Sequence, residues 1–502
     1  MFLFGKIFKT TLIFIILAEL FSIFGYLLTD FRQISFFIII FIILILALYK
    51  LEYGILILLA ELFIGSKGYL FYFEYEGIII SIRIALWLII MSVWFGKLIS
   101  HIIKNKKIQF NFLNIPYFRY YLILFLFIFW GLINGFLNNN EFSNIFFDFN
   151  GWLYFALLLP ISGAIKNKEN IFNIFQVLMA SIIWLSIKTL FLLFAFSHNL
   201  IGMTHELYRW VRTTGVGEIT QIQGGFYRIF FQSHIFVLAG FIIMVLLIAD
   251  YIYINNKDNL FKDRYFFILL FCASGLLSTI IISFSRSFWL GLGVGLLLCA
   301  LAIIKIYGRK KLFLVCLVLL SIILMSAGII FAVIKFPYPR PLGGFSTAEL
   351  LSERASKITG EPAISSRWTL LPELWNKIKL SYFFGQGFGS TLTYQSSDPR
   401  ILESSPTGEY TTYAFEWGWL DIWLKLGIFG LISYFILIIN IIYKSIGLNN
   451  YPWLTNSLII GLITITVVNV FSPYFNHPLG IGYLLLASTL IIKNKENNMG
   501  VA

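Results

Sequence analysis

The chain has 502 residues, of which 59% are hydrophobic and 12% are charged, and its formal net charge is +13. Soluble domains carry about 25% charged residues, so this composition excludes an ordinary soluble protein. The basic residues are scattered over short segments instead of forming one patch, which argues against nucleic-acid binding.

Apolar windows of about 20 residues, the length that crosses a bilayer as a helix, recur along almost the whole chain. They predict an all-α polytopic membrane protein with about 14 transmembrane helices. The two halves show no repeat that would indicate an inverted-repeat transporter. In chain order, the predicted spans are 11–28, 31–49, 51–66, 78–100, 119–137, 151–165, 171–197, 229–254, 265–283, 287–307, 312–334, 416–443, 452–471 and 478–492.

Charged residues predict the orientation of the chain. Lys and Arg gather in short connections that fall on one side of the membrane, which the positive-inside rule makes the cytoplasmic side. Both termini would then be cytoplasmic. Arg83 and Lys188 fall inside spans, so we expect them to face the bundle interior or to reach an interface. The residues that define the cytoplasmic side are Lys6, Lys9, Lys104, Lys106, Lys107, Arg119, Lys166, Lys168, Lys257, Lys262, Arg264, Arg309, Lys310, Lys311, Lys493 and Lys495.

Two outside segments are too long and too polar to be simple connections. The first lies at about 198–228, within residues 1–334, which hold eleven predicted spans. The second is a large loop at 335–415, and residues 416–502 after it hold the last three spans. In this loop we predict a helix at 346–358 and an amphipathic helix at 365–380, in which Pro372 favours a kink or a later start. The amphipathic helix could lie on the membrane, cover a cavity or pack over the bundle.

Two further features stand at the outside face. Arg286 lies at the tight turn between two apolar runs, where a cation is costly unless it meets an anion or water. An anionic lipid headgroup is therefore its expected ligand. The run Gly385-Gln386-Gly387-Phe388-Gly389 permits tight turns and close approach of backbones. This run lacks the lysine and the strand–loop–helix context of a nucleotide-binding loop.

These features, in this order, resemble the O-antigen polymerase and ligase superfamily of bacterial inner-membrane proteins. The resemblance covers about 224–443 and implies a GT-C-like membrane fold with its active face in the periplasm. The matching residues are Ser285-Arg286-Ser287 with Leu290-Gly291, Arg367 followed by Leu374-Trp375, the glycine-rich run, and Glu416-Trp417 before Gly427-Ile428-Phe429-Gly430.

The resemblance also implies an activity. The substrate would be an oligosaccharide carried on undecaprenyl pyrophosphate, and a hydroxyl of the acceptor would displace the lipid pyrophosphate with inversion at the anomeric carbon. The family pattern implies no metal, cofactor or nucleotide sugar. Besides the lipid bilayer, the implied partners are a chain-length regulator and a flippase of the same pathway.

The chemistry of such a reaction selects site residues. A leaving pyrophosphate gains negative charge, and arginine, whose planar fork holds two phosphate oxygens, stabilises it. Arg286 and Arg367 are the first candidates. Arg228 is the third, because it follows a Gly224-Gly225 turn at the outer end of a span. Arg212 is a further candidate, although a solvated loop charge is the better explanation for it.

Glu416 separates the two branches of the family. The ligase branch carries a histidine eleven positions before a Gly-x-x-Gly pair, and here that position holds Glu416 before Gly427. The missing histidine favours a polymerase of the Wzy type. We expect Glu416 to be partly buried and to accept a proton from the attacking hydroxyl, or simply to favour the start of a helix. Tyr413 and Trp417 could stack on sugars or belong to the interfacial belt.

The leading hypothesis is thus a periplasm-facing polymerase of lipid-linked repeat units for O-antigen, capsule or exopolysaccharide. The closest alternative is a ligase that transfers glycan to lipid A core or to protein. A flippase for the same lipid-linked units is a third, which the two long outside segments argue against. His477, a lone histidine in the last outside turn, is interpreted as structural.

Overall fold

The computed structural model describes residues 2–105, 117–165, 167–200, 202–222, 226–255, 262–341, 362–397, 399–445 and 452–499. The described chain consists of helices and three short β-hairpins, so the predicted all-α polytopic membrane fold is confirmed. The predictions that lie outside the described residues are the helix at 346–358, the Gly224-Gly225 turn and the basic residues Lys106, Lys107, Lys166 and Lys257.

Helices account for most of the described residues, and a 3-10 segment, Gly151–Leu157, joins two of them. In chain order they are α1 (Lys6–Leu27), α2 (Thr29–Tyr49), α3 (Leu51–Ile64), α4 (Ile82–Asn105), α5 (Phe118–Leu137), α6 (Phe142–Asn150), α7 (Leu158–Ala164), α8 (Lys168–Ser197), α9 (Thr204–Thr213), α10 (His234–Ile254), α11 (Arg264–Ile282), α12 (Arg286–Tyr307), α13 (Arg309–Ile334), α14 (Pro362–Leu380), α15 (Pro399–Ser404), α16 (Gly418–Ser445), α17 (Pro452–Val468) and α18 (Pro478–Met499).

Eleven helical segments in the described ranges are long and apolar enough to cross a membrane. Three further apolar helices stand where spans were predicted: α17, the first part of α18, and α3, which has 14 residues. A lone span needs about 20 residues, so α3 depends on its neighbours to bury its ends. Together these segments account for the fourteen predicted spans.

Three antiparallel hairpins correct the predicted boundaries. They pair β1 (Tyr72–Tyr75) with β2 (Ile78–Ser81), β3 (Gly217–Gln221) with β4 (Tyr227–Phe231), and β5 (Leu392–Gln395) with β6 (Glu409–Thr412). The spans predicted to start at 78 and 229 therefore start at Ile82 and His234. A short apolar run is compatible with a strand or with a helix. Here the Glu76-Gly77 turn, which has a positive φ at both residues, lets β1 and β2 pair as a hairpin.

One predicted span starts too late. The span at 151–165 is the second part of a longer apolar segment, Phe142–Ala164, that begins with α6. Asp148 and two asparagines dilute the hydropathy of its first half, which explains the error.

The bundle is organised around α10, which is buried along almost its whole length. It packs against α8, α11, α12 and α17. Such a helix, apolar all round, is expected at the centre of a large bundle. By contrast, α1, α2 and α13 expose large apolar side chains along one side, as helices that face lipid do.

The connections that follow α3, α8, α11, α13 and α17 meet at one end of the bundle, which we call the loop face. It comprises the described residues within 65–81, 198–233, 283–285, 335–341, 362–417 and 469–477. Ser66 lies 3.1 Å from Ser233, hydroxyl to hydroxyl. The His198 Nε2 atom lies 2.9 Å from the carbonyl oxygen of Phe336. All three hairpins lie in this face.

The two cations inside spans lie in the bundle interior, as one of the two predicted placements required. Arg83 makes a bidentate pair with Glu61, with both nitrogen–oxygen distances at 3.0 Å. The Lys188 ammonium lies 2.5 Å from Glu19 on α1 and 4.8 Å from the ring of Phe231. All four charged residues are buried, so each charge depends on its partner.

Replacing Lys188 with methionine should destabilise the protein strongly. The change leaves the Glu19 carboxylate buried without a counter-charge, a loss of about 3–5 kcal/mol of folding free energy. Thermal unfolding in detergent, followed by intrinsic fluorescence, measures it. The double variant Glu19→Leu with Lys188→Met should recover most of the loss, because no charge is stranded. A double variant as unstable as the single one would contradict this account.

The glycine-rich run anchors the large loop to the bundle. α16 breaks at Gly427, whose φ is 73°, and the break frees backbone groups on both sides. The run satisfies them: Gln386 N–H donates to Leu424 O at 2.6 Å, and Gly387 N–H donates to Lys425 O at 3.1 Å. A Cβ atom at Gly387, whose φ is 77°, would clash with the backbone of Gly135. The predicted close backbone approach is therefore confirmed.

The amphipathic helix of the large loop, α14, packs over the bundle. It buries Leu370, Leu374 and Ile378 against Phe415 and Leu424. Of the three predicted placements, these contacts match packing over the bundle. The helix begins at Pro362 and continues through Pro372, so the later start that we considered is wrong. Its packing against α16 outweighs the backbone hydrogen bond that a proline removes.

Candidate active site

The turn between α11 and α12 sets the position of Arg286. Phe284, two residues before Arg286 in the turn, has a φ of 46°, which is uncommon for a side chain of this size and indicates a constrained turn. Phe284 is buried and its ring lies 5.2 Å from that of Phe226. Arg286 is the first residue of α12 and is partly exposed at the loop face.

The hairpin of β3 and β4 brings Arg228 to the same turn. The Arg228 Nε atom donates to the carbonyl oxygen of Ser283 at 2.9 Å, and its guanidinium lies 5.1 Å from the ring centre of Phe230. Two of the predicted arginines thus meet at one turn. Arg228 hydrogen-bonds to its first residue, Ser283, and Arg286 is its fourth. The charge density suits a ligand that carries more than one negative charge.

Arg367 and Glu416 form a salt bridge at the loop face. Arg367 lies on α14, and its Nε atom donates to the Glu416 carboxylate just before α16. The Glu416 side chain is 49% exposed, so the partial burial that we expected is wrong. The start of α16 packs against α14 and, through Trp417, against the 469–477 connection, and these contacts leave the Glu416 carboxylate exposed. Trp417 Nε1 donates to the carbonyl oxygen of Arg367 at 3.1 Å and holds the two elements together.

The connection at 469–477 lies between the two arginine groups. The Ser472 hydroxyl lies 3.1 Å from that of Ser287, next to Arg286. The ring of Phe471, one residue earlier, lies 5.4 Å from that of Trp417. The residues on either side of this connection are therefore Arg286 and the Arg367–Glu416 pair. One substrate that lies over the connection can meet both.

A buried charge network supports this arrangement. The Lys425 ammonium lies 2.6 Å from Asp148 and 2.7 Å from Asp421. Asp148 also accepts the Gly389 N–H at 2.9 Å, and Asn476 donates to Asp421. The network ties α6, α16, the glycine-rich run and the 469–477 connection into one unit. Asp421 and Lys425 are four residues apart on α16, and both are fully buried.

Tyr413 lies near this network and is half-buried. Burial raises the pKa of Tyr413, with the negative charge of Asp148 as the next cause. Its phenol therefore stays protonated and can donate a hydrogen bond. Trp417 contacts Trp368 and Phe471, which leaves it in the protein rather than in a belt facing lipid.

A second polar group lies deeper in the loop face, around Arg83. Burial, and then the positive charges of Arg83 and Lys67, lower the pKa of His477 to about 3, so its imidazole is neutral. Among the described residues, His477 Nδ1 and Tyr154 Oη have no hydrogen-bond partner. Buried polar atoms usually have one, so these two atoms are exceptions within the described residues.

Sequence reasoning missed several of these polar residues. Asp148, Glu61 and Tyr154 were not predicted as site residues, although an acidic residue in an apolar run is itself a signal of function. Arg212 was predicted, but it pairs with Glu218 on β3 at 3.5 Å, with both side chains exposed. Within the described ranges, no group of three His, Cys, Asp or Glu side chains could hold a metal ion.

The fold and this site define a polytopic membrane protein with a cationic centre at one end of its helix bundle. Residues 265–435, from α11 to α16, match a family model described as O-Antigen ligase. This match supports the O-antigen polymerase and ligase superfamily, as the sequence features indicated. A search of curated proteins finds no match to the chain.

Proposed function

We propose that the protein is a polymerase that joins oligosaccharide repeat units carried on undecaprenyl pyrophosphate. It would act on the periplasmic face of the bacterial inner membrane, with both termini in the cytoplasm. The observation that carries the proposal is that the 469–477 connection contacts Ser287, next to Arg286, and Trp417, next to Glu416, while Arg228 contacts the turn before Arg286. The match of residues 265–435 to the family model supports it. Glu416 at the position of the ligase histidine favours a polymerase.

The reaction is a single displacement. A hydroxyl oxygen of the acceptor forms a bond to the anomeric carbon as the bond from that carbon to the phosphate oxygen breaks. The electron pair leaves with the lipid pyrophosphate, and the hydroxyl proton passes to a base. Arginines that bind the leaving group more tightly in the transition state than in the ground state increase the rate.

Glu416 is the base in this proposal, and it acts as one once its salt bridge with Arg367 opens. While Arg367 holds the carboxylate, the oxygen that would accept a proton is occupied. A pyrophosphate carries more negative charge than a carboxylate and competes for the same guanidinium. Donor binding would therefore draw Arg367 away and leave Glu416 free to accept the hydroxyl proton.

A reconstituted assay tests the function. Purified protein in liposomes receives undecaprenyl-pyrophosphate-linked repeat units extracted from its own host, with EDTA present. A ladder of products on a gel supports the polymerase and shows that no free divalent metal is needed. Glycan that appears only on added lipid A core supports the ligase, which the description of the matching family favours. Labelled units that merely cross the bilayer would make transport the better explanation.

Replacing Glu416 with glutamine should lower the polymerisation rate by about 10²–10⁴, the usual contribution of a general base. The amide keeps the shape but cannot accept the proton. The same change at Glu409, an exposed residue on β6 of the same loop, is the matched control and should leave the rate unchanged. Equal rates for the wild type and Glu416→Gln would remove Glu416 from the role of base.

A chain-length regulator and a flippase belong to the proposal as partners. The polymerase would need lipid-linked units delivered to its active face, and a reaction that continues without control would give chains of random length. No contact in the described residues depends on either partner.

A further inference from the structure

A cleft of about 260 Å³ opens beside the hairpin of β3 and β4. It lies at the loop face but apart from the turn that holds Arg286. Its walls come from the end of α8, from α9 and from the first residue of β4. The lining residues are Phe196, Asn199, Thr204, His205, Tyr208 and Tyr227.

Aromatic rings form the walls of the cleft. The rings of Phe196 and Tyr227 contact each other, with their centres 5.4 Å apart. Tyr208 stands on α9 and is 40% exposed, which leaves one face of its ring open. Flat apolar faces of this kind suit a ring-shaped ligand with its own apolar faces.

Neutral polar groups form the rest of the lining. Thr204 precedes Tyr208 by four residues, so both lie on the same side of α9. Asn199, which adopts a φ of 43°, lies within 3.5 Å of the Thr204 hydroxyl. Asn, Thr and His supply donors and acceptors together, which matches hydroxyl groups. Among the described residues of the lining there is no Asp, Glu, Lys or Arg, so these residues offer a phosphate no counter-charge.

The walls of the cleft are fixed before any ligand arrives. The two ring nitrogens of His198 lie 2.9 Å from the carbonyl oxygens of Phe194 and Phe336, which holds the end of α8 against the chain after α13. Trp210 Nε1 donates to Ser22 at 3.0 Å and holds α9 against α1. A preformed cleft binds its ligand without the entropy cost of ordering a loop.

We propose that this cleft binds one neutral sugar ring of the glycan. Aromatic faces combined with a few neutral hydrogen-bonding groups are the lining that a sugar requires. The volume agrees, since a cavity of about 150 Å³ holds benzene and a sugar ring adds hydroxyl groups.

The position of the cleft shows which part of the glycan it takes, a step that rests on the proposed function. Tyr227 lines the cleft, and the next residue on β4, Arg228, contacts the turn before Arg286. Successive side chains of a strand point to opposite faces. A sugar in the cleft is therefore separated by the hairpin from a pyrophosphate beside Arg228. The cleft holds a sugar farther along the glycan and selects for the repeat unit.

Binding and activity are measured separately to test this site. The probe is the water-soluble repeat-unit oligosaccharide that mild acid releases from the host polysaccharide, which carries no pyrophosphate. Saturation-transfer NMR with the full chain in detergent measures its binding. Tyr208→Ala should weaken binding about tenfold, because one stacking face is lost. In the polymerisation assay it should raise KM and leave kcat nearly unchanged.

Two further variants make the result specific. Thr204→Val removes a hydroxyl without changing shape and should also weaken binding. Tyr443→Ala, at an exposed tyrosine on α16 outside the cleft, should bind as the wild type does. Wild-type protein that does not bind the oligosaccharide, or unchanged binding in both cleft variants, would overturn the proposal. If the wild type binds the oligosaccharide but makes no polymer, and the cleft variants lose binding, the result would support the cleft and reject the polymerase function.

Discussion

Replacing Arg286 with alanine is expected to lower the rate of polymer formation by about 10²–10³, which is the usual cost of removing one group that stabilises transition-state charge. Arg286 begins α12 at a constrained turn, next to Arg228 and opposite the 469–477 connection. In the proposed reaction the leaving pyrophosphate would gain negative charge there. The reconstituted assay, with equal amounts of variant and wild-type protein in the membrane, measures the effect.

Two further variants make this result specific. One separates the geometry of the guanidinium from its charge, and the other controls for the loss of an arginine at the start of a helix. Arg286→Lys keeps a positive charge but loses the planar fork, so it should fall between alanine and the wild type. Arg309→Ala is the matched control, because Arg309 is also the first residue of a long helix but lies beyond the far end of α12. Normal polymer from Arg286→Ala would remove this residue from the site.

Replacing Lys425 with methionine should have the largest effect on stability. Lys425 is the counter-charge of two buried carboxylates, Asp148 and Asp421, and its loss leaves two like charges close together. Removing one partner of a buried ion pair costs about 3–5 kcal/mol, and here two partners are stranded. Asp148 also holds the Gly389 N–H, so the glycine-rich run should loosen. Thermal unfolding in detergent and polymerisation should both show the loss.

Lys444 offers a matched control on the same helix. Lys444→Met makes the same chemical change at an exposed position, and surface substitutions usually change stability by less than about 0.5 kcal/mol. Asp421→Asn in the Lys425→Met background removes one of the stranded charges and should restore part of the stability. A Lys425→Met protein that unfolds at the wild-type temperature would show that the network contributes little.

The effects predicted for Arg286 and Lys425 arise in different parts of one site. Arg286 would meet the substrate directly, whereas Lys425 is fully buried and acts by holding Asp148, Asp421 and the backbone around them. A change at Arg286 should therefore lower the rate and leave the unfolding temperature alone. A change at Lys425 should lower both. This difference separates a group that contacts substrate from one that supports the site.

Local features of the sequence predicted much of the fold. A span is fixed by the hydropathy of its own residues, because every backbone polar group must be satisfied within the segment. The fourteen spans, the Arg286 turn and the close approach at the glycine-rich run could therefore be predicted. Strands at the ends of spans could not, because Ile78–Ser81 has the same hydropathy as a helix start and only its pairing with Tyr72–Tyr75 decides.

The sequence by itself determined that this is a polytopic membrane protein. Its motifs indicated the superfamily that the match over residues 265–435 supports, and the arginines that we propose bind a pyrophosphate. Only the tertiary structure decided which charges meet. Asp148 and Lys425 are 277 residues apart, and nothing local to either predicts their contact. Glu416 was expected to be partly buried, but it pairs with Arg367 at an exposed position, because neither α14 nor the 469–477 connection packs over its carboxylate. Ion pairs depend on distance in space, and in a bundle of this size that distance is set by helix packing rather than by separation along the chain.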